Sequence, residues 1–321
     1  MVEIPQTELP TVKAIYKHYE DTKSDFRRAH LGASLIGKEC ERELFYTFRW
    51  CSDPRFEGRL LRLFENGFKE EARFVKNLRN IGITIYDKDP DTGGQIYCNS
   101  FGGHYAGSLD GAAIGFPEAS KTWHVCEFKS SNTKEFNKLV KDGIEKVKPL
   151  HYAQVQQYMS WTGMKRAFYM VVCKEDDRIY AERVYFVKEV SDLLEAKAKR
   201  VIFADVPPGR IADDVDDFRC RFCDHRGVCW EGEFAEVNCR TCAMVTVVED
   251  GTFTCGRDGE VIEPINQRKE RDCHIFIPAL VPVEATDSDS KKGTITYGKI
   301  VNGPGNVLSK DLARAMRERG K

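Results

Sequence analysis

Seven of the twelve cysteines in this chain, Cys220, Cys223, Cys229, Cys239, Cys242, Cys255 and Cys273, fall within the 54 residues from 220 to 273. Thiols so concentrated constrain the last third of the chain to fold around sulfur-lined centres. The opening residues, MVEIPQTELP, are acidic and carry no apolar secretory segment. The expectation is therefore a cytoplasmic protein, whose clustered cysteines serve as metal ligands rather than disulfides. In Cys220-x2-Cys223-x5-Cys229 the short loop lets two sulfurs converge on one centre, and a fourth ligand must come from elsewhere. The second set, Cys239-x2-Cys242-x12-Cys255-x17-Cys273, places two short strands, VTVVED and TFTCG, between its ligands. It reads as a zinc-ribbon-like module with Zn²⁺ on four thiolates. His274 could replace Cys273, and an exchange of Cys229 or Cys239 between the two centres stays open. Cys51, Cys98, Cys126 and Cys173 lie in apolar or strand-like settings and read as core cysteines.

With 321 residues, 41% hydrophobic and 31% charged, the chain has room for one sizeable soluble domain and an appendage. No run approaches the roughly 20 apolar residues of a membrane helix. The net charge of −1 does not announce a nucleic-acid binder, but charge is segregated: 129–148 is rich in lysine while 212–217 reads ADDVDD.

Apolar spacing predicts helices over about 9–29, 39–50 and 57–80, the last with Leu60, Leu61, Phe64, Phe68, Phe74, Val75 and Leu78 on a helical period. Strands are predicted at 83–87, 94–99, 104–111 and 122–129, helices at about 133–143 and 149–163, strands at 167–173 and 180–186, and a helix through about 187–204. Helices, a strand meander, helices, a strand pair and a helix in that order imply an α/β (α+β) fold. A central mixed sheet flanked by helices is expected, with a small metal-bound C-terminal module. The division expected is a core over 1–235, the zinc-ribbon-like module over 236–282, and a polar, flexible tail over 283–321.

Within the meander, His104-Tyr-Ala-Gly-Ser-Leu-Asp110-Gly111 precedes Cys126-Glu127-Phe128-Lys129. Residues two apart on a strand share a face, so Glu127 and Lys129 project together while Phe128 enters the core. Asp110 closes the strand before, with Gly111 read as a turn. Carboxylates on neighbouring strands can hold a divalent cation, which acidifies water and neutralises charge on a phosphate. Lys129 would orient the water or offset transition-state charge. Gln154 and Tyr158, four apart, share a helix face. No role is assigned to His104.

These residues resemble the PD-(D/E)XK nuclease superfamily, in particular its RecB-like branch and the CRISPR-associated exonucleases. The resemblance covers about residues 31–230 and rests on five points in order. These are Cys40 with Arg42 two residues on, the Gly107-Ser-Leu-Asp110-Gly111 turn, the Glu127-Phe-Lys129 strand, Gln154-Val-Gln-Gln-Tyr158, and the cysteine trio at 220–229. It implies a restriction-endonuclease-like core with Asp110, Glu127 and Lys129 at the catalytic centre. It implies a Gln154/Tyr158 face lining that centre and contacting DNA, and a [4Fe–4S] cluster on Cys40, Cys220, Cys223 and Cys229, with zinc as the alternative. Many relatives carry a metal-binding histidine about four residues after a glycine in the upstream helix; here Gly67 is followed at that distance by Glu71, also able to hold Mg²⁺ or Mn²⁺.

The function expected is a metal-dependent deoxyribonuclease, a phosphodiester hydrolase acting as an exonuclease on DNA ends or single strands. The alternative is a catalytically silent nuclease fold that binds DNA or assembles through its zinc-binding region. With no helicase motif present, the setting stays open among recombination, replication and defence, a phage included. A recombination or replication protein is the candidate partner.

Overall fold

A computed structural model describes residues 9–22, 27–53, 56–269, 273–282, 286–289, 291, 294–297 and 300–302. The elements run α1 (Pro10–Thr22), β1 (Leu31–Gly32), α2 (Glu41–Phe48), α3 (Gly58–Asn80), β2 (Thr84–Tyr86), β3 (Ile96–Ser100), β4 (Tyr105–Leu109), β5 (Gly111–Ile114) and β6 (His124–Ser131). They continue with α4 (Thr133–Val147), α5 (Pro149–Thr162), β7 (Arg166–Cys173), β8 (Ile179–Tyr185), α6 (Lys188–Ile202), α7 (Arg226–Trp230), β9 (Val245–Val247), β10 (Phe253–Cys255), α8 (Pro264–Gln267), β11 (Asp287–Asp289), β12 (Thr294–Tyr297) and β13 (Ile300–Asn302). Among the described residues, no helix is long and apolar enough to cross a membrane.

The α/β architecture with a mixed sheet is present. Its centre is a five-stranded sheet in the order β2-β5-β6-β7-β8. The β6–β7 pair is parallel and its neighbours are antiparallel. A parallel pair cannot be closed by a tight turn, and α4 with α5 makes the crossover. Alternation along β6 sorts its side chains. Cys126 and Phe128 join Phe74, Val75 and Leu78 of α3 with Phe168 and Met170 in one apolar cluster, where Phe74 and Phe128 stack at 5.2 Å. Val125 belongs to the larger cluster on the other side, with Tyr158, Tyr169 and Val171.

The expected strand 104–111 is two strands in two sheets. β4 pairs with β3 and with β1, whereas β5 pairs with β2 and β6. Gly111 is accordingly the first residue of β5, opposite Cys126, and not a turn; Asp110 is the point at which the chain leaves one sheet for the other. The described part of the first helix is shorter than expected, ending at Thr22. The helix expected to end at 143 continues to Val147, but Gly143 breaks its geometry with φ of 75°, and the Ile144 amide there donates to Glu182 Oε2 at 2.8 Å.

Pattern reading was least informative for α5. Seven consecutive residues, Ala153 to Met159, are buried, three of them glutamines. A buried amide is tolerable only when bonded. Gln154 Nε2 donates to Tyr158 Oη at 3.2 Å, and Gln157 Nε2 to Glu195 Oε2 at 2.8 Å. Gln156 bridges the end of β8, donating to the Tyr185 carbonyl and accepting from the Val187 amide.

The 236–282 segment shares the large core with the N-terminal part of the chain. Phe253, Phe276 and Ile277 sit in the same apolar cluster as Leu31 and Phe45. Arg240 pins the two together from inside. Its guanidinium donates to the carbonyls of Ala29 and Phe48 and to Gln267 Oε1, at 2.7, 2.9 and 2.9 Å, and lies 3.8 Å from the centre of the Trp50 ring. His104 Nε2 lies 2.9 Å from the Val248 carbonyl, and Gly102 abuts the Asp250–Gly251 turn so closely that a Cβ on Gly102 would stand 2.0 Å from the Asp250 carbonyl carbon. In the segment expected as a polar tail, the described residues pair instead as a three-stranded antiparallel sheet, β11-β12-β13, with Tyr297 buried. The β-branched alternation in Thr294–Tyr297 supports that pairing. Residues 303–321 lie outside the described residues.

Arg240→Ala leaves two buried carbonyls and a buried amide without their donor and opens space beside Trp50. It is expected to lower unfolding free energy by roughly 3 kcal/mol or more, read as a shift in the urea midpoint; an unchanged midpoint would mean the pin is dispensable.

Candidate active site

The fork between the two sheets creates the site. β5 pairs with β6 only as far as Gly111↔Cys126. Beyond that point β4 peels away, and the amide of Phe128 on β6 is left facing the fork. Asp110 fills the vacancy: its Oδ2 accepts from Phe128 N at 2.7 Å. Glu127 and Lys129 extend from β6 on the face opposite Phe128, as strand alternation predicts. The Lys129 ammonium lies 3.9 Å from Asp110 Oδ2 and in direct ion-pair contact with Glu127 Oε1. Lys129 Nζ also donates to the Phe128 carbonyl at 3.2 Å.

Glu127 is the unusual member. It is 0% exposed, and neither of its oxygens has a hydrogen-bond partner of acceptable geometry. Its Oε1 meets the Lys129 ammonium. Burial raises the carboxyl pKa of Glu127, with Lys129 pulling the other way and Asp110 adding to the rise. Asp110 is raised by burial as well, against the influence of Lys129 and the Phe128 amide. Glu71, delivered by α3, is pushed up to about 7 by burial first and then by Asp110. Burial opposes the charge on Lys129, but the Glu127 and Asp110 carboxylates outweigh it and raise its pKa. Three carboxyl groups thus share one ammonium, with Glu127 fully buried and Lys129 reaching a cleft. When all are ionised, the cluster is short of positive charge.

The structure therefore brings Glu71, Asp110, Glu127 and Lys129 together. Gln154 and Tyr158 lie behind them. Tyr158 Oη donates to the Ser108 carbonyl on β4 at 2.9 Å, and both side chains are buried. Gly107 on β4 leaves room for the ring; a Cβ there would stand 2.6 Å from Tyr158 Oη. In this arrangement the pair braces the strand that carries Asp110 and does not present a surface to a ligand.

Two nearby groups carry no motif. His151 Nδ1 lies 2.7 Å from Tyr169 Oη, and burial, with Lys129 and Lys148 nearby, lowers its pKa to about 3. The imidazole is neutral. Together with Lys129, Lys148 and Lys174 these two residues line a cleft of about 300 Å³. The lysine-rich stretch 129–148 hinted at this cleft; His151 gave no signal of its own.

The cysteines gather as two sets. Cys40, at the N-cap of α2 and accepting from the Glu43 amide, lines one small cavity with Cys220, Cys223 and Cys229. Burial pushes the Cys223 thiol up to about 12 and raises Cys40, so a metal must displace protons to bind there. Cys239, Cys242, Cys255 and Cys273 line a second cavity, with His274 beside them. His274 is engaged with Thr241 Oγ1, its Nε2 at 3.1 Å. Soft sulfur donors gathered in fours suit zinc or an iron–sulfur cluster. Among the described residues, no group of three or more His, Cys, Asp or Glu side chains is arranged so that it could hold a metal ion.

No family model matches the sequence, and no curated protein matches it. Among solved structures, the chain is similar to the alkaline exonuclease LHK-Exo from Laribacter hongkongensis, with 16% identity, a TM-score of 0.41, and coverage of 58% of this chain and 90% of that one. It is similar to LHK-Exo in complex with dAMP at 15% identity and the same score, over 59% and 90%. It is also similar to SSO0001, at 12% identity and a TM-score of 0.41, over 69% and 96%.

Proposed function

We propose that this chain is a metal-dependent deoxyribonuclease, an exonuclease on DNA ends or single strands that hydrolyses phosphodiester bonds at Asp110, Glu127 and Lys129. The observation that carries this reading is the convergence of three carboxyl groups, Glu127 wholly removed from water among them, on the single Lys129 ammonium. Such a group is costly in a folded protein unless a cation balances it. Hard oxygen donors suit Mg²⁺ or Mn²⁺, with Asp110 and Glu127 as ligands and Glu71 as a third. Bound there, the ion would supply an acidified water and charge neutralisation at a phosphate.

The protein's own groups have distinct tasks. Asp110 is held by the Phe128 amide, so its second oxygen keeps a set direction. Lys129 is the one cation of the cluster and stays charged, suited to orienting a nucleophilic water and offsetting charge on the phosphoryl oxygens. Tyr158 and Gln154 act as positioning residues through the Ser108 carbonyl. The reading extends to the sulfur sets: Cys40, Cys220, Cys223 and Cys229 as ligands of a [4Fe–4S] cluster, with zinc as the alternative, and Cys239, Cys242, Cys255 and Cys273 as ligands of Zn²⁺.

The direct test is cleavage of end-labelled linear single-stranded DNA beside closed circular DNA, with Mn²⁺, Mg²⁺ or chelator. Wild type is expected to consume the linear substrate only with metal, and Lys129→Ala, still folded by circular dichroism at the assay temperature but with a lowered melting temperature because Glu127 loses its ammonium, to lose at least about a hundredfold in rate. Turnover retained in Lys129→Ala would remove that residue from the mechanism; intact binding without cleavage by wild type would favour the catalytically silent module. For the sulfur sets, anaerobically purified protein is expected to contain iron and sulfide with a broad absorbance near roughly 400 nm, plus zinc that is lost in Cys242→Ser. Colourless protein with zinc in both sets would contradict the cluster.

A further inference from the structure

The apolar period along α3 predicted one continuous buried stripe, and the helix does not deliver it. Leu61, Phe74, Val75 and Leu78 are buried, but Phe64 is 37% and Phe68 66% exposed. Both lie on the stripe that carries Glu71, since 64, 68 and 71 are spaced i, i+4 and i+7. One helix face therefore runs from the core at Phe74, past the catalytic carboxylates at Glu71, to two aromatic rings on the surface. Those rings form one wall of a cleft of about 560 Å³, with Trp50 and Arg28 on other parts of its lining.

Gly67 lies on the same face. It is a mid-helix glycine with no positive φ to justify it, and a Cβ built on it meets nothing within 4 Å. Glycine in a helix interior costs about 1 kcal/mol relative to alanine. With no packing neighbour to explain it, it leaves the floor of the cleft open to close approach by a ligand. Lys38 on the wall is in an ion pair with Glu43, and the exposed Arg28 lies on the same wall. His30 is held neutral, its pKa lowered to about 4 by burial and then by Arg28 and Arg240.

Resting on the nuclease reading above, we infer that this cleft is the track along which a single DNA strand reaches the catalytic carboxylates, its bases stacked on Phe68 and Phe64 and its phosphates facing Arg28. Exposed aromatic faces beside an arginine suit unpaired bases, whose π-faces any sequence offers; a duplex keeps those faces stacked inside itself. The continuity of the α3 face from Phe64 to Glu71 favours a strand over a protein partner, because it places the scissile phosphate one helical turn from the last stacked base.

The test is fluorescence anisotropy of labelled single-stranded oligonucleotides in chelator, where no cleavage occurs. One oligonucleotide is ordinary and one has abasic sites in place of its bases. Wild type should bind the ordinary strand about tenfold more tightly than the abasic one. Phe68→Ala should bind the ordinary strand about tenfold more weakly and show little preference between the two. Gly67→Val should weaken binding without lowering the melting temperature, which separates blockage of the cleft from unfolding. Unchanged affinity in Phe68→Ala, or equal loss on both oligonucleotides, would overturn the cleft. If wild type cuts DNA yet Phe68→Ala binds normally, the nuclease reading stands and the track fails; if base-dependent binding is seen with no cleavage under any metal, the track stands and the nuclease reading fails.

Discussion

Glu127 is where the fold and the proposed chemistry meet. Strand β6 is central in the sheet, and its inward-facing positions should be apolar, as Val125 is. Placing a fully buried carboxylate there works against the hydrophobic packing that holds β6 between α3 on one side and α5 on the other. The cost is contained because Lys129 lies two residues along the same face and Asp110 hangs from the fork beside it. A partly compensated buried charge is a stability liability with a functional explanation. Other features of the site serve to keep it in place: the amide of Phe128 fixes Asp110, and the Tyr158–Ser108 bond, made possible by Gly107, fixes the strand that ends in Asp110.

The fork itself follows from the strand order. A chain that passes from the β1-β4-β3 sheet to the five-stranded sheet at one residue must leave backbone groups unpaired at the crossing, and a short carboxylate satisfies one of them at once. That is why Asp110, rather than a glycine turn, sits at the junction, and why Gly111 begins a strand. The same economy recurs at Gly143, where a broken helix hands its amide to Glu182.

Strand alternation made the pairing of Glu127 with Lys129 legible before any coordinates, because period two is a local property. The gathering of Cys40 with Cys220, Cys223 and Cys229 came from the resemblance, since nothing local links residues so far apart. Other features were illegible because they depend on what packs against them. The resemblance implied a Gln154/Tyr158 face that lines the centre and contacts DNA, yet residues 153–159 of α5 are buried and the three glutamines are internal struts. Phe64 and Phe68 share a period with Phe74 and Leu78, and periodicity alone cannot say that the core ends at Glu71. His104 and Arg240 lie beside motif residues without being read as part of them; their role as pins appears only once the β9–β10 hairpin is seen against residues 29–50, and it ties the cysteine-bearing segment into the main core. In the segment expected as a polar, flexible tail, weak apolar content did not announce the three short strands that pair with one another.

The central claim is that Glu127 is buried in order to hold a divalent cation. Manganese binding followed by electron paramagnetic resonance, in the full-length protein without DNA, tests it most directly. The account predicts a bound Mn²⁺ in wild type that is lost in Glu127→Gln while the sulfur-bound metals and the fold persist. Equal Mn²⁺ binding in the two proteins would contradict it, leaving Glu127 as a structural partner of Lys129 and the site without its metal.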